Sequence, residues 1–243
     1  MMSILNNYGD KPFFIAIGHG ADISSQRADD LDLMALERLA SCSNPVAIDI
    51  ACGAGGQAIR MARLGATVIA IDIADMGQSI LSNAVALNDT EPLRIQFIQL
   101  DMRFLDTLTE ADLQYVSREK NKVLKADIII CQRAIHYFTY LEAVVILAKI
   151  NQIMAEDGRL YISASGINSE LGNDYAGTTM FLDNRYSELS LAMRDKHGIH
   201  GRVCLYSEID MTRLIENSGF SIEALFSSPF GNIKAVAKKR NAS

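Results

Sequence analysis

Between residues 46 and 164 five short runs rich in β-branched residues alternate with longer stretches of helical spacing, and this rhythm limits the possible folds more than any other feature. The runs are Val46–Ile50, Thr67–Ile71, Arg94–Leu100, Asp127–Cys131 and Arg159–Ala164. Helical patterns fall at Gln57–Leu64, Gly77–Leu87 and Tyr140–Met154, with a polar segment before Lys122 and Asp157-Gly158 as the expected stop ahead of the fifth run. Strands that alternate with helices predict βαβ units and a parallel sheet buried on both faces. With 49% hydrophobic residues, the chain has the apolar mass for such a core.

The rhythm breaks after Ala164. Residues 165–205 open with turn formers (Gly166, Asn168, Gly172, Asn173, Gly177), and a helix is expected over Arg185–Lys196. Irregular stretches of this length inside a domain are often lids or binding loops. Ser207–Asn217 then has amphipathic spacing, with Ser207 as N-cap and Gly219 as the stop. Ser221–Phe226 and Asn232–Ala237 read as strands joined by five residues, too few to return a parallel strand, so they form a hairpin. A further helix is expected near Asp30–Ala40. The whole is read as one domain: 1–43 an N-terminal helix and lid, 46–164 the core, 165–206 a substrate-side insertion, 207–240 the terminal helix and hairpin.

Charge and cysteine spacing narrow the partners. With 23 basic and 29 acidic side chains the net charge is −6, which disfavours a general nucleic-acid or anionic-membrane binder. No apolar run approaches the roughly 20 residues of a membrane span. Phe13–Ile17 is too short for a signal-peptide core and has no basic leader, so a cytoplasmic protein is expected. Cys42, Cys52, Cys131 and Cys204 lie far apart, without the pairing of a disulfide framework or zinc site. His197 and His200 lack a third nearby ligand, and no metal is expected. Met180, Met193 and Met211 are expected in packing, and Lys238-Lys239-Arg240 in a solvated tail.

The sharpest motif follows the first strand: Asp49-Ile-Ala-Cys52-Gly53-Ala-Gly55-Gly56. Glycines at a strand-to-helix turn let backbone approach a ligand. The loop also fits a dinucleotide fingerprint loosely, but Asp49 would repel a pyrophosphate and attract a ligand carrying ammonium and sulfonium groups. Asp72 ends the second strand, where a carboxylate can accept both hydroxyls of a ribose. Asp101-Met102 ends the third, where an acid can accept from an adenine amine beside an apolar neighbour.

With Asp49, Gly53, Gly55, Asp72 and Asp101 in this order, the sequence resembles the class I S-adenosylmethionine-dependent methyltransferases over roughly Val46 to Ala164. The resemblance implies a Rossmann-like α/β fold: a seven-stranded sheet, mostly parallel with an antiparallel C-terminal strand, and helices on both faces. It implies S-adenosylmethionine as cofactor and S-adenosylhomocysteine as product. The expected cofactor residues are Asp49, Cys52, Gly53, Gly55, Asp72, Ile73, Asp101, Met102 and Gln132.

The fourth strand delivers Gln132-Arg133-Ala134-Ile135-His136-Tyr137-Phe138 to the carboxyl end of the sheet, where ligands of such folds bind. His136 and Tyr137 are the candidate catalytic pair, with His136 as base or as hydrogen-bond orienter. Arg133, His136, Tyr137, Arg185 and Tyr186 are candidate substrate contacts, as are Tyr8, Lys11 and His19 near the N-terminus. Cys-Gln-x-x-x-His-Tyr here, Asp72-Ile-Ala-Asp75 and Ser165–Leu171 are similar to the mRNA cap guanine-N7 methyltransferases, in which the His and Tyr contact guanine. Arg133 stands where that family has an aromatic residue.

The leading expectation is methyl transfer to a small acceptor, heterocyclic or nucleotide-like. An RNA-end guanine-N7 methyltransferase, a binding protein that keeps the cofactor without turnover, and a nicotinamide-dependent oxidoreductase are the alternatives. The oligomeric state is open.

Overall fold

The computed structural model describes residues 15–16, 20–21, 27–85, 93–108 and 125–240. Its centre is a seven-stranded sheet built from β1 (Val46–Ile50), β2 (Thr67–Asp72), β3 (Ile95–Gln99), β4 (Ala126–Gln132), β5 (Met154–Ser165), β6 (Phe220–Ser227) and β7 (Asn232–Lys239). The order across the sheet is β6-β7-β5-β4-β1-β2-β3. The first five strands are mutually parallel, and β7 lies antiparallel to both β5 and β6. The order reverses between β1 and β4, so a crevice opens beyond the carboxyl ends of these two strands.

Two apolar layers cover the sheet, because side chains of a strand alternate between its faces. Ile48 and Ile50 of β1 pack with Ala143, Ile146 and Leu147 of α4 (Tyr140–Ile153) and Leu214 of α6 (Glu208–Asn217). On the opposite face Ala47 packs with Leu31 and Leu39 of α1 (Asp30–Ala40), Met61 of α2 (Gly56–Arg63) and Ile80 of α3 (Gly77–Val85). Three helices start with capping boxes, Asp29 with Asp32, Thr139 with Glu142, and Ser207 with Asp210. No described helix is long and apolar enough to cross a membrane.

The segment after β5 has its own small core of Leu171, Tyr175, Leu189, Ile199, Val203 and Leu205. It comprises short 3-10 turns, a two-residue ribbon pairing Ser187–Glu188 with Arg202–Val203, and α5 (Leu191–His197). The helix expected over Arg185–Lys196 is therefore shorter and starts later. Arg185 ends a 3-10 turn, Ser187 and Glu188 belong to the ribbon, and Gly198, at φ +65°, closes α5.

Two further expectations are corrected. Asp157-Gly158 does not stop the helix, which runs out at Ile153, where Met154 turns extended as its C-cap. Residues 155–158 instead form a bulge: Ala126 and Ile128 of β4 face Met154 and Arg159 of β5, so two steps on one strand match five on the other. Lys238-Lys239-Arg240 is not a free tail. Lys238 and Lys239 end β7, paired to Glu223 and Glu156, and Arg240 Nη2 donates to the carbonyl oxygens of Glu216 and Phe220.

The β6–β7 hairpin tip docks on the turn after β5. A Cβ on Gly166 would sit 2.0 Å from the carbonyl oxygen of Gly231, so this approach requires glycine. The contact holds the tip, with Pro229 and Phe230, along the crevice.

Candidate active site

The crevice is a cleft of about 1160 Å³ running along the carboxyl ends of the parallel strands. One wall is acidic. Asp49, Asp72 and Asp101 reach it from the ends of β1, β2 and β3, beside Gly53, Ile73 and Met102. Asp72 is locked by the backbone: Gly53 N–H donates to Oδ2 and Ala74 N–H to Oδ1, both at 2.9 Å. The glycine loop is also stitched to β2 through Cys52 N–H and the Ile71 carbonyl. Ala51 and Gly53, at φ +59° and +52°, turn the chain sharply so that α2 can begin at Gly56.

Asp101 caps the 3-10 turn Met102–Thr107 and binds Arg103 through backbone and side chain. Burial raises its carboxyl, but the Arg103 hydrogen bonds outweigh burial and hold it below the usual carboxylate range. It therefore stays an acceptor at neutral pH.

Cys52 and Gly55 do not line the cleft. Cys52 lies in the core with its thiol toward the Gly53 carbonyl, and Gly55, at φ +80°, ends the loop against Ile80. Their part is to shape the loop. Tyr8, Lys11 and His19 lie outside the described residues.

The other wall comes from the segment after β4. Gln132, Arg133, His136 and Tyr137 all line the cleft, and Tyr186 faces them from the insertion with its hydroxyl donating to the Tyr137 carbonyl at 3.1 Å. His136 is buried, 1% exposed, with its ring centroid 4.2 Å from that of Tyr137. Ser165 N–H donates to His136 Nδ1 at 3.4 Å, and Ser165 Oγ lies 3.5 Å from Nε2. Burial pushes the Tyr137 phenol far above its ordinary pKa, against the opposing charge of Arg133, so at neutral pH it is a hydroxyl and not a phenolate.

Arg185 is the clear correction among the candidate substrate contacts. It does not reach the cleft. Its Nη1 pairs with Asp210 Oδ2 at 2.5 Å and donates to the Leu205 carbonyl at 3.0 Å, both inside the protein. A guanidinium in a turn-rich segment looks available in sequence, but here a buried carboxylate claims it.

A profile of a methyltransferase domain matches residues 26–225. The chain belongs to this methyltransferase family. Its fold is that of the class I S-adenosylmethionine-dependent methyltransferases, as solved structures also show. The methyltransferase superposes with a TM-score of 0.59 on magnesium protoporphyrin IX methyltransferase from Synechocystis PCC 6803, at 18% identity, covering 86% of this chain and 81% of that one. A similar match, with TM-score 0.59, 14% identity and coverage of 87% and 79%, is to the 1,6-didemethyltoxoflavin-N1-methyltransferase of Burkholderia thailandensis. The riboflavin-derivative dimethyltransferase of Streptomyces davawensis matches at TM-score 0.54 and 16% identity, covering 87% of this chain and 55% of that one. No curated protein matched in sequence.

The methyltransferase carries one cluster that motif reading passed over. Asp32, on α1, lines the cleft beside Asp49 and Gln57, and accepts from Gln132 Nε2 at 2.6 Å. Asp29 next to it is paired with Lys234 Nζ at 2.8 Å. The signal was available: Asp32 shares the buried face of α1 with Leu31, Ala35, Leu36 and Leu39, and an acid on an apolar stripe has a partner or a task.

Burial, and then the charge of Asp29, push the Asp32 carboxyl up to about 7. Between about pH 4 and 7 the folded protein thus holds a proton that the unfolded chain has released, and stability falls as pH rises through that window. Asp29 acts oppositely. Burial raises it but Lys234 outweighs burial, so its contribution is lost only as pH falls below the usual carboxylate range. Asp32→Asn is expected to flatten the decline from pH 5 to pH 8 in denaturant melts, and profiles parallel to wild type would show that Asp32 ionises freely.

Proposed function

We propose that this methyltransferase moves a methyl group from S-adenosylmethionine to a small-molecule acceptor with a flat heterocyclic or nucleotide-like ring. The observation that carries the reading is the division of a single cleft. Three carboxylates at the ends of β1, β2 and β3 surround Gly53 on one side, and His136, Tyr137 and Tyr186 face them from the other.

The donor set fits the cofactor. Asp49 offers negative charge to an ammonium or sulfonium group. Asp72 keeps spare lone pairs on both backbone-locked oxygens, enough for two ribose hydroxyls. Asp101 is an ionised acceptor for an exocyclic amine, with buried Met102 and half-exposed Ile73 as apolar neighbours. The sulfonium supplies an already activated methyl group, and its transfer is an in-line displacement.

The chain's own task is placement and exclusion of water. His136 and the Tyr137 hydroxyl are the polar groups that orient the acceptor. With Ser165 N–H on Nδ1 and Ser165 Oγ 3.5 Å from Nε2, His136 serves as orienter more readily than as base. Phe230, 73% exposed at the hairpin tip, gives the ring an apolar face to lie against. The porphyrin and toxoflavin named for two structural relatives are likewise flat rings.

The test is calorimetric titration with S-adenosylmethionine and S-adenosylhomocysteine against NAD. Micromolar binding of both sulfur ligands and none of NAD is expected. Tighter binding of NAD would mean that the glycine loop cradles a pyrophosphate.

A further inference from the structure

The cations along the cleft differ in what holds them. Arg103 is bound by Asp101 and lies 3.8 Å from Glu142, while Lys196 and His197 both pair with Glu170. Among the described residues no acid holds Arg27, which is exposed, or Arg133. No hydrogen bond or ion pair among them engages the Arg133 guanidinium, although the side chain is half-buried and lines the cleft beside Tyr137.

Its backbone is also unusual. Arg133 sits at φ +50°, in the left-handed region that L side chains other than Asn and Asp rarely enter. The conformation is imposed at the carboxyl end of β4, where Arg133 N–H donates to the Ser163 carbonyl at 2.9 Å and lies 3.1 Å from the Ser163 hydroxyl. Such strain costs on the order of 1–3 kcal/mol and gathers at ligand clamps. A partly desolvated guanidinium without a counter-ion adds to that cost. A planar, permanently charged fork offsets the second cost when it takes a carboxylate or phosphate through two parallel hydrogen bonds, while the strained turn fixes where the fork is held.

We propose that Arg133 is an anion clamp for the methyl acceptor, and that the acceptor is a ring bearing a carboxylate or phosphate group. This deepens the reading of the cleft as a methyl-transfer site and rests on it. The cleft is then divided by charge: acids at the ends of β1, β2 and β3 meet a cationic donor, and an unclaimed arginine at the end of β4 meets an anionic acceptor. Arg133 is a specificity residue here, and Tyr137 beside it orients the same ring.

The experiment compares wild type, Arg133→Lys and Arg133→Gly. Each protein is titrated with S-adenosylhomocysteine, and the loaded protein then with two matched pairs, quinoline-2-carboxylate against its carboxamide and guanosine 5′-monophosphate against guanosine. In wild type the acid of at least one pair is expected to bind about tenfold tighter than its neutral partner or better. The pair that discriminates tells carboxylate from phosphate.

Arg133→Gly is expected to erase that preference, with S-adenosylhomocysteine affinity within about twofold of wild type and a melting temperature no lower, because glycine adopts the left-handed turn without strain. Arg133→Lys keeps the charge but not the fork and retains part of the preference. Equal binding of acid and neutral partners in both pairs, silence of all four ring compounds, or a preference that survives Arg133→Gly would each overturn the clamp. Failure of all three proteins to bind S-adenosylhomocysteine would instead bring down the cofactor reading, and the clamp with it.

Discussion

Arg185→Met is expected to lower the unfolding free energy by about 3–5 kcal/mol, the range found when one partner of a buried ion pair is removed. Asp210 would be left as a buried carboxylate held by Ser207 alone, whose N–H and hydroxyl donate to its Oδ2. The Leu205 carbonyl would lose its donor as well. The damage should centre where the insertion joins α6, since Tyr175 ties the same place together through the carbonyls of Arg185 and Val203.

Two controls separate this structural role from a substrate role. Combining Arg185→Met with Asp210→Asn removes the stranded charge and should recover part of the loss. S-adenosylhomocysteine affinity of Arg185→Met, measured well below its melting temperature, should match wild type, because Arg185 does not reach the cleft. The pH dependence has a definite sign. Burial raises the Asp210 carboxyl, but hydrogen bonds from Ser207 and Arg185 outweigh burial and hold it below the usual range. The pair therefore contributes above the unfolded carboxylate pKa and its contribution fades as pH falls through the folded one. A loss under 1 kcal/mol in chemical denaturation, with acceptor binding abolished, would return Arg185 to the substrate site.

The contrast between Arg185 and its surroundings shows where sequence reasoning works. Strands β1, β2 and β4 were legible because buried parallel strands demand nearly continuous apolar, β-branched runs. Edge strand β3 was legible by its interleaved apolar and Gln residues, and the terminal hairpin because five residues cannot span a crossover. Ser207 was legible as a cap because its hydroxyl acts within one turn. Such signals are local.

The insertion carries little local signal beyond its turn formers and part of α5. Its core is gathered from residues 171, 175, 189, 199, 203 and 205, a spacing without helical or strand period, and its turns are held by partners far along the chain. Arg185 reaches Asp210, 25 residues on, and Gln132 reaches Asp32, 100 residues back. The acidic wall of the cleft was readable because each acid lies at or next to the carboxyl end of its strand. The apolar stripe of α1 marked Asp32 as an acid with a partner but not the cleft it joins, and Phe230 carried no mark, since one arrives on a helix and the other on a hairpin tip and only the tertiary fold brings them together.

Asp72 tests the cofactor wall most severely. Asp72→Ala is expected to weaken S-adenosylhomocysteine binding by about 100-fold or more, since each hydrogen bond to a charged group contributes roughly 1.5–3 kcal/mol and the ribose would lose two. A second effect adds to the first. The N–H groups of Gly53 and Ala74 would lose their acceptors, so the glycine loop that shapes the pocket is released along with the ribose contact. Asp72→Asn separates the two effects. Its single oxygen can keep one backbone donor while its amide opposes the other, so binding should fall between wild type and Asp72→Ala. If Asp72→Ala bound within about threefold of wild type while folding normally, the carboxylate would be only a brace for the loop. The ribose would then need another acceptor.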